Sequence, residues 1–270
     1  MGFGGRKRVA VMIRDWVPAR AWPLADALGA ITGRTRFRPV ASWAAACAST
    51  RGYEAAVDEQ PPTGDEWDSQ WPAATSREVQ LVAAIGVVLN LLAKSESLRV
   101  LDFGGWSGQY SVGASRAFPG IRMDWTVVET PAAVRHFQEV EAPAWISWTT
   151  ELREGANYDL VLASASLNYV ADPISTLNHL ATLAPFIILT RLPLWPIPRH
   201  QPAVQVVDRR RRTSYPTWFF AEDRFREQLD AIGEIALEWP VAEDTAYFEH
   251  HRCDYRGLVL RSSVYTEPPA

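Results

Sequence analysis

The runs Val100-Leu-Asp-Phe-Gly-Gly-Trp-Ser-Gly-Gln-Tyr110 and Trp125-Thr-Val-Val-Glu129 hold the residues best placed for chemistry. Each reads as a short apolar strand ending on a carboxylate, Asp102 in the first and Glu129 in the second. Gly104, Gly105 and Gly108 follow the first strand and open a helix. A glycine turn lets the backbone approach a ligand, and a carboxylate at the next strand end accepts hydrogen bonds from ribose hydroxyls. The pair is therefore suited to a nucleoside.

The details of the turn narrow the nucleoside. No Gly-Lys-Ser/Thr follows it, so nothing is present to hold a triphosphate and magnesium. The order Gly104-Gly105-Trp106-Ser107-Gly108 departs from the Gly-x-Gly-x-x-Gly of dinucleotide sites. Asp102, immediately before the turn, would repel a pyrophosphate, whereas it can hold an ammonium group or organise the turn. These features favour a nucleoside without phosphates that carries an amino acid, S-adenosylmethionine (SAM).

The elements around these runs alternate. Strands are expected at 98–102, 122–129, 144–149, 158–164 and 185–191, with helices near 108–117, 131–140 and 173–183. Apolar runs such as Leu160-Val-Leu-Ala163 and Phe186-Ile-Ile-Leu189 suit strands covered on both faces, hence a parallel sheet. Beyond a Pro-rich segment (Pro193, Pro196, Pro198, Pro202), Ala221 to Ile232 reads as a helix ended by Gly233, and strands near 234–240 and 255–261 finish the sheet. The expected fold is α/β and Rossmann-like, a seven-stranded, mostly parallel sheet with helices on both faces, in a domain spanning 76–265. Residues 1–75 lack strand–helix alternation and read as an N-terminal helical cap, with patches at Trp22 to Ile31 and Trp43 to Thr50 before the turn-rich stretch Asp58 to Asp65. Thr75-Ser-Arg-Glu78 resembles a capping box for a helix that sets Val82, Ile85, Leu89 and Leu92 on one stripe.

Composition bounds the class. With 270 residues, 47% hydrophobic and 21% charged, the chain is globular, and its net charge of -4 argues against nucleic acid as the main partner. Cys47 and Cys253 cannot form a disulfide framework, which suits a reducing cytoplasm. Val9 to Ile13 is too short for a signal peptide's apolar core, and Val79 to Ala93 falls short of the roughly 20 apolar residues that span a bilayer, so no membrane partner is expected. The twelve tryptophans suit core and cap packing, or a cavity for a cation or flat ring.

The glycine turn, Val127-Val-Glu129 and Tyr158-Asp-Leu-Val-Leu-Ala-Ser-Ala-Ser-Leu-Asn-Tyr169 together resemble the class I, Rossmann-like SAM-dependent methyltransferases. More narrowly, the chain is similar to a bacterial methyltransferase family met in biosynthetic gene clusters, whose Ser-Trp-x-x-Ala…Gly-Tyr and Pro-x-Trp-Phe-Phe motifs stand here at Ser42 to Ala46, Gly52-Tyr53 and Pro216 to Phe220. The resemblance implies that Gly104, Gly105 and Gly108 pass the methionyl moiety, that Glu129 binds the ribose, and that Trp148 or Thr149 flanks adenine. It also implies that the fourth strand's end, Ser164 to Tyr169, faces the reaction centre, with Ser164 on the cofactor side. Trp106 stands where the superfamily pattern Asp-x-Gly-x-Gly-x-Gly has its middle glycine.

At the reaction centre, the Asn168 amide can orient an acceptor amine or the SAM amino group, and Tyr169 can meet the sulfonium through its ring or hydroxyl. The plainer alternative is that Asn168 caps the following turn and Tyr169 packs. His200 in the Pro-rich loop and Arg191 at the fifth strand's end can both reach the pocket, although a lone histidine equally serves structure. Glu249-His-His-Arg-Cys-Asp254 has metal-ligand residue types, but adjacent histidines face opposite sides of a strand, so no metal is expected. Asp208-Arg-Arg-Arg-Arg212 reads as a solvated loop or a grip on an acidic substrate or carrier group.

The expected activity is methyl transfer from SAM to a small-molecule acceptor in secondary-metabolite biosynthesis. The alternatives are a SAM-cyclising enzyme, whose substrate is SAM alone and whose products are azetidine-2-carboxylate and methylthioadenosine, and a non-catalytic SAM-fold binding module. The oligomeric state is left open.

Overall fold

A computed structural model describes residues 36–50, 76–153, 157–208, 213–248 and 251–267. The helical patch at 22–31, the stretch 58–65, Gly52-Tyr53, Thr75, the basic run 209–212 and Glu249-His250 lie outside the described residues. Among those described, no helix is long and apolar enough to cross a membrane.

In chain order the elements are β1 (Arg36–Pro39), α1 (Trp43–Ala48), α2 (Ser76–Leu92), β2 (Ser97–Phe103), α3 (Gln109–Ala117), β3 (Arg122–Val128), α4 (Pro131–Gln138), β4 (Ile146–Thr149) and β5 (Leu160–Ser164). A single 3-10 turn at Leu167–Tyr169 precedes α5 (Pro173–Ala181). The chain then forms β6 (Phe186–Trp195), β7 (Gln201–Asp208), β8 (Thr213–Ala221), α6 (Glu222–Ile232), β9 (Gly233–Phe248) and β10 (His251–Ser262).

Seven strands form the main sheet in the order β4-β3-β2-β5-β6-β10-β9. The pairs from β4 to β6 are parallel, and β10 runs antiparallel to both β6 and β9. These are the seven strands that the alternating pattern predicts. Their side chains divide by parity, as a pleated strand requires. Leu98, Val100, Leu160, Leu162, Ile188 and Val259 pack with α2, α3 and α4 on one face. Leu101, Val161, Ala163, Ile187, Leu189, Leu258 and Leu260 pack with α5 and α6 on the other. Double-sided burial is why these strands read as continuous apolar runs. In α2 the buried stripe is rotated from the expected one: Leu81, Ala84, Ile85, Val88 and Leu89 are buried, while Val82 and Leu92 are only half-buried.

Three strands have no counterpart in the sequence reading. β1, β7 and β8 form an antiparallel annex, β1 pairing with β7 and β7 with β8. β5 ends at Ser164, which pairs with Thr190 of β6. β6 bends at Arg191 (φ 60) and continues until Leu194 and Trp195 pair with Phe220 and Ala221 of β8. β8 thus takes the edge of β6 that β5 leaves free, and the annex stands over the end of β5. Arg36–Pro39 is a strand inside the segment read as helical, whereas α1 follows the expected helix and is capped by Ser42, whose Oγ accepts from the Ala45 N–H at 3.2 Å. Trp43 of α1 stacks on Trp218 of β8, with centroids 5.5 Å apart and planes 4° from parallel. Trp218 in turn donates its indole N–H to the Val170 carbonyl at 3.1 Å.

Trp218 therefore joins α1, the annex and the chain beyond β5. Replacing Trp218 by Ala is expected to lower stability by about 2–3 kcal/mol, read as a lower urea midpoint. An unchanged midpoint would contradict this packing.

Candidate functional site

The site begins where β2 ends. Gly104 (φ 67), Trp106 (φ 55) and Gly108 (φ 71) turn the chain through the left-handed region before α3 starts at Gln109. Gly104 is required twice, since a Cβ there would also lie 2.5 Å from the Ser166 Cβ. At Gly105 the constraint is space: a Cβ would fall 2.2 Å from the Asp102 carboxyl carbon. Trp106 is the exception, a bulky residue in a conformation that costs about 1–3 kcal/mol unless its surroundings enforce it.

They do enforce it. The Trp106 N–H donates to Glu129 Oε1 at 3.2 Å, and its carbonyl accepts from Trp148 Nε1 at 2.9 Å. Glu129 Oε2 accepts from the Thr130 N–H at 2.8 Å, and the Glu129 N–H donates to the Thr149 carbonyl at 3.0 Å. Phe137 of α4 stacks on Trp148 (5.2 Å, 15°) and meets the Trp106 ring edge-on (5.7 Å, 86°). Glu129, Trp148 and Thr149, named from sequence, are thus gathered with the glycine turn at the ends of β2, β3 and β4.

Asp102 lies beneath the turn with no exposed surface. Its Oδ2 accepts from the Trp125 indole at 2.9 Å, while Oδ1 has no partner among the described residues. Burial raises its pKa from 3.8 to about 7; the Trp125 hydrogen bond opposes the rise and the nearby Glu129 charge adds to it. Burial likewise raises the Glu129 pKa, against the two backbone N–H groups that favour its charge. Of the two roles the sequence leaves to Asp102, this geometry supports organising the turn, because Gly105 covers its carboxylate.

The second half of the site is the chain after β5. The Ser164 hydroxyl shares a hydrogen bond of 3.2 Å with the Tyr110 hydroxyl of α3. Asn168 is buried; its Nδ2 donates to Thr217 Oγ1 of β8 at 3.0 Å, and its Oδ1 has no partner among the described residues. The Tyr169 hydroxyl donates to Gln205 Oε1 of β7 at 2.6 Å, and its ring meets Tyr215 edge-on. Ser166, also buried, has an Oγ beside Gly104 with no partner among the described residues. Thr217, Gln205 and Ser166 were not among the sequence candidates. The Pro-x-Trp-Phe-Phe motif marked the region of Thr217, but the prolines of 193–216 masked the hairpin that presents it.

His200 serves structure: its Nδ1 accepts from the Ala221 N–H at 3.1 Å, its ring meets Phe220 edge-on, and burial together with Arg224 lowers its pKa. Arg191 occupies the bend of β6.

The arrangement suits a ligand rich in hydrogen-bond donors. Glu129 has lone pairs to spare beyond its two backbone donors, aromatic faces stand beside it, and Asn168 Oδ1 and Ser166 Oγ are buried oxygens without partners among the described residues. A nucleoside with hydroxyls, a flat base and an amino group fits these residues.

No family model and no curated protein matches the chain by sequence. Solved structures do match in fold. The N-terminal domain of EvdMO1, crystallised in the presence of S-adenosylhomocysteine (SAH) and D-fucose, shares 14% identity over 70% of this chain and 84% of its own, with a TM-score of 0.50. Magnesium protoporphyrin IX methyltransferase (ChlM) from Synechocystis PCC 6803 with bound SAM gives 18%, 75%, 94% and 0.44 for the same measures. The cyclase SpnF gives 14%, 68%, 81% and 0.46. At these identities the likeness is one of fold, and the EvdMO1 domain carries it: the chain has a Rossmann-like α/β fold.

The buried carboxyl gives a pH signature. Folded protein keeps the Asp102 proton up to about pH 7, whereas the unfolded chain releases it near 3.8, so stability falls as pH rises across that window. The urea midpoint is expected to fall less steeply with pH in Asp102→Asn than in the parent chain. Equal slopes would contradict the burial of an ionisable group here.

Proposed function

We propose that this chain is a SAM-dependent enzyme that methylates a small molecule. The observation that carries the reading is the Glu129 carboxylate, held by the Trp106 and Thr130 N–H groups on a residue whose own N–H donates to the Thr149 carbonyl, with acceptor capacity left for ribose hydroxyls. The fold supports it, because the EvdMO1 domain of like fold was crystallised in the presence of SAH.

In this reading Glu129 holds the ribose, Trp148 and Thr149 border the base, and Gly104, Gly105 and Gly108 let the backbone lie close to the methionyl portion. Asp102 acts through the turn. SAM supplies a methyl carbon already activated by a positive sulfur. The chain's own task is then positioning: Asn168 and Tyr169 line the side where an acceptor is presented, with Ser164 on the cofactor side, and the annex strands cover it. A proton-abstracting base is not required when the acceptor lone pair is free.

A second reading is favoured by one observation, the buried Asn168 Oδ1, which has no partner among the described residues. It suits an amine nucleophile, and the amine can be that of SAM itself. Attack of that nitrogen on the γ-carbon breaks the carbon–sulfur bond and yields azetidine-2-carboxylate, methylthioadenosine and a proton.

Two measurements test these readings. Calorimetry is expected to show SAH binding that Glu129→Ala weakens at least tenfold, the equivalent of about 1.4 kcal/mol. No SAH binding, with Glu129→Ala changing nothing, would instead support a fold used without the cofactor. Incubation with SAM and no acceptor then separates the chemistries: accumulating methylthioadenosine selects cyclisation, and unchanged SAM selects methyl transfer.

A further inference from the structure

We propose that Trp148 is a positioning residue for Glu129: its indole N–H holds the Trp106 carbonyl, and that grip keeps the Trp106 N–H aimed at the Glu129 carboxylate. The proposal rests on the SAM reading, and adds to it a residue of β4 that acts on the ribose grip through the turn.

Both hydrogen bonds have a fixed sense. An indole N–H and a backbone N–H donate and never accept, so neither bond can reverse. Trp148 Nε1 lies 2.9 Å from the Trp106 carbonyl oxygen, and the Trp106 nitrogen lies 3.2 Å from Glu129 Oε1. The two bonds fall on different peptide planes. The N–H belongs to the plane joining Gly105 to Trp106, and the carbonyl to the plane joining Trp106 to Ser107. Holding both planes fixes the dihedrals between them, which is how a tryptophan keeps φ 55. A glycine at this point would need no such hold.

The first plane is also held at its other edge, where the Gly108 N–H donates to the Gly105 carbonyl at 2.9 Å. Without the Trp148 bond, the pull of an L-residue toward negative φ falls on what remains. The Glu129 bond is the longest of the three and yields first. Trp148 itself is well placed to resist that pull. Its ring stacks on Phe137, which is 1% exposed and meets the Trp106 ring edge-on, and its backbone pairs with Val127 of β3. On losing Trp106, the Glu129 carboxylate keeps the Thr130 N–H at 2.8 Å but can turn about it. A ribose then has to order the carboxylate as it binds, and affinity falls by the cost of that ordering.

The test removes the N–H and keeps the ring. Benzothienylalanine in place of Trp148 puts sulfur where the indole has its N–H, so the stack on Phe137 and any contact with the base survive. Calorimetric titration of the full chain is expected to show SAH bound roughly fivefold more weakly. In the Glu129→Ala background the same replacement is expected to change SAH affinity by less than about twofold, because the effect passes through that carboxylate. Amide exchange followed by NMR reads the same device without ligand. The Trp106 amide is expected to exchange faster, whereas the Glu129 amide, which donates to the Thr149 carbonyl between β3 and β4, keeps its protection. Trp148→Phe is expected to give the same exchange pattern, which keeps the test decisive if the sulfur analogue does not fold. Exchange also decides where Glu129→Ala binds SAH too weakly to compare.

Unchanged SAH affinity, an equal loss with and without the Glu129 carboxylate, or an unchanged Trp106 amide would overturn the proposal. So would loss of protection at both amides, which is the mark of a loosened β4 rather than a released turn. Should the parent chain not bind SAH, the SAM reading falls and takes this inference with it. Parent-like SAH binding after the Trp148 replacement removes the inference alone.

Discussion

The chain leaves β2 through three residues with positive φ, and one of them, Trp106, has a side chain that disfavours this conformation. It is held there because its N–H and its carbonyl are both taken, by Glu129 and by the Trp148 indole. Those partners come from the ends of β3 and β4, and Asp102 beneath them is tied to Trp125 of β3. The turn is therefore an outcome of three parallel strands ending side by side. The glycine-rich pattern that this turn resembles has glycine at this point; here hydrogen bonds replace the freedom that glycine would give.

The rest of the site follows from the way β6 outlasts β5. Because β6 continues beyond Thr190, its freed edge accepts β8, and β8 brings the annex over Ser164 to Tyr169. The Trp43–Trp218 stack adds α1 to the same assembly. The half of the site beside Glu129 thus belongs to the sheet, whereas the half beside Asn168 is shared with strands from the Pro-rich segment. This division suits an enzyme whose cofactor grip is fixed by the fold and whose substrate side is shaped by added strands.

The main sheet was legible because its strands are buried on both faces and punctuated by Gly104, Gly108 and Gly233. The pairing of the glycine turn with Glu129 was legible for the same reason, since both sit at strand ends. The annex was not. Pro202 and Pro216 argue against strands by propensity, yet both stand in β7 or β8. With that hairpin unread, the partners of Asn168 and Tyr169 could not be anticipated, although the residues themselves were named. Asp102 shows the other limit: its place before the turn was plain, but only the fold reveals that Gly105 lies over it and hides it from a ligand.

In the proposed function the glycine turn and Glu129 together hold the nucleoside of SAM. A crystal structure of the chain soaked with SAH tests it most directly. Ribose hydroxyls are expected within hydrogen-bond distance of Glu129, the base beside Trp148 and Thr149, and the amino-acid portion running past Gly104. SAH bound elsewhere, or absent with Glu129 contacting only Trp106 and Thr130, would contradict it.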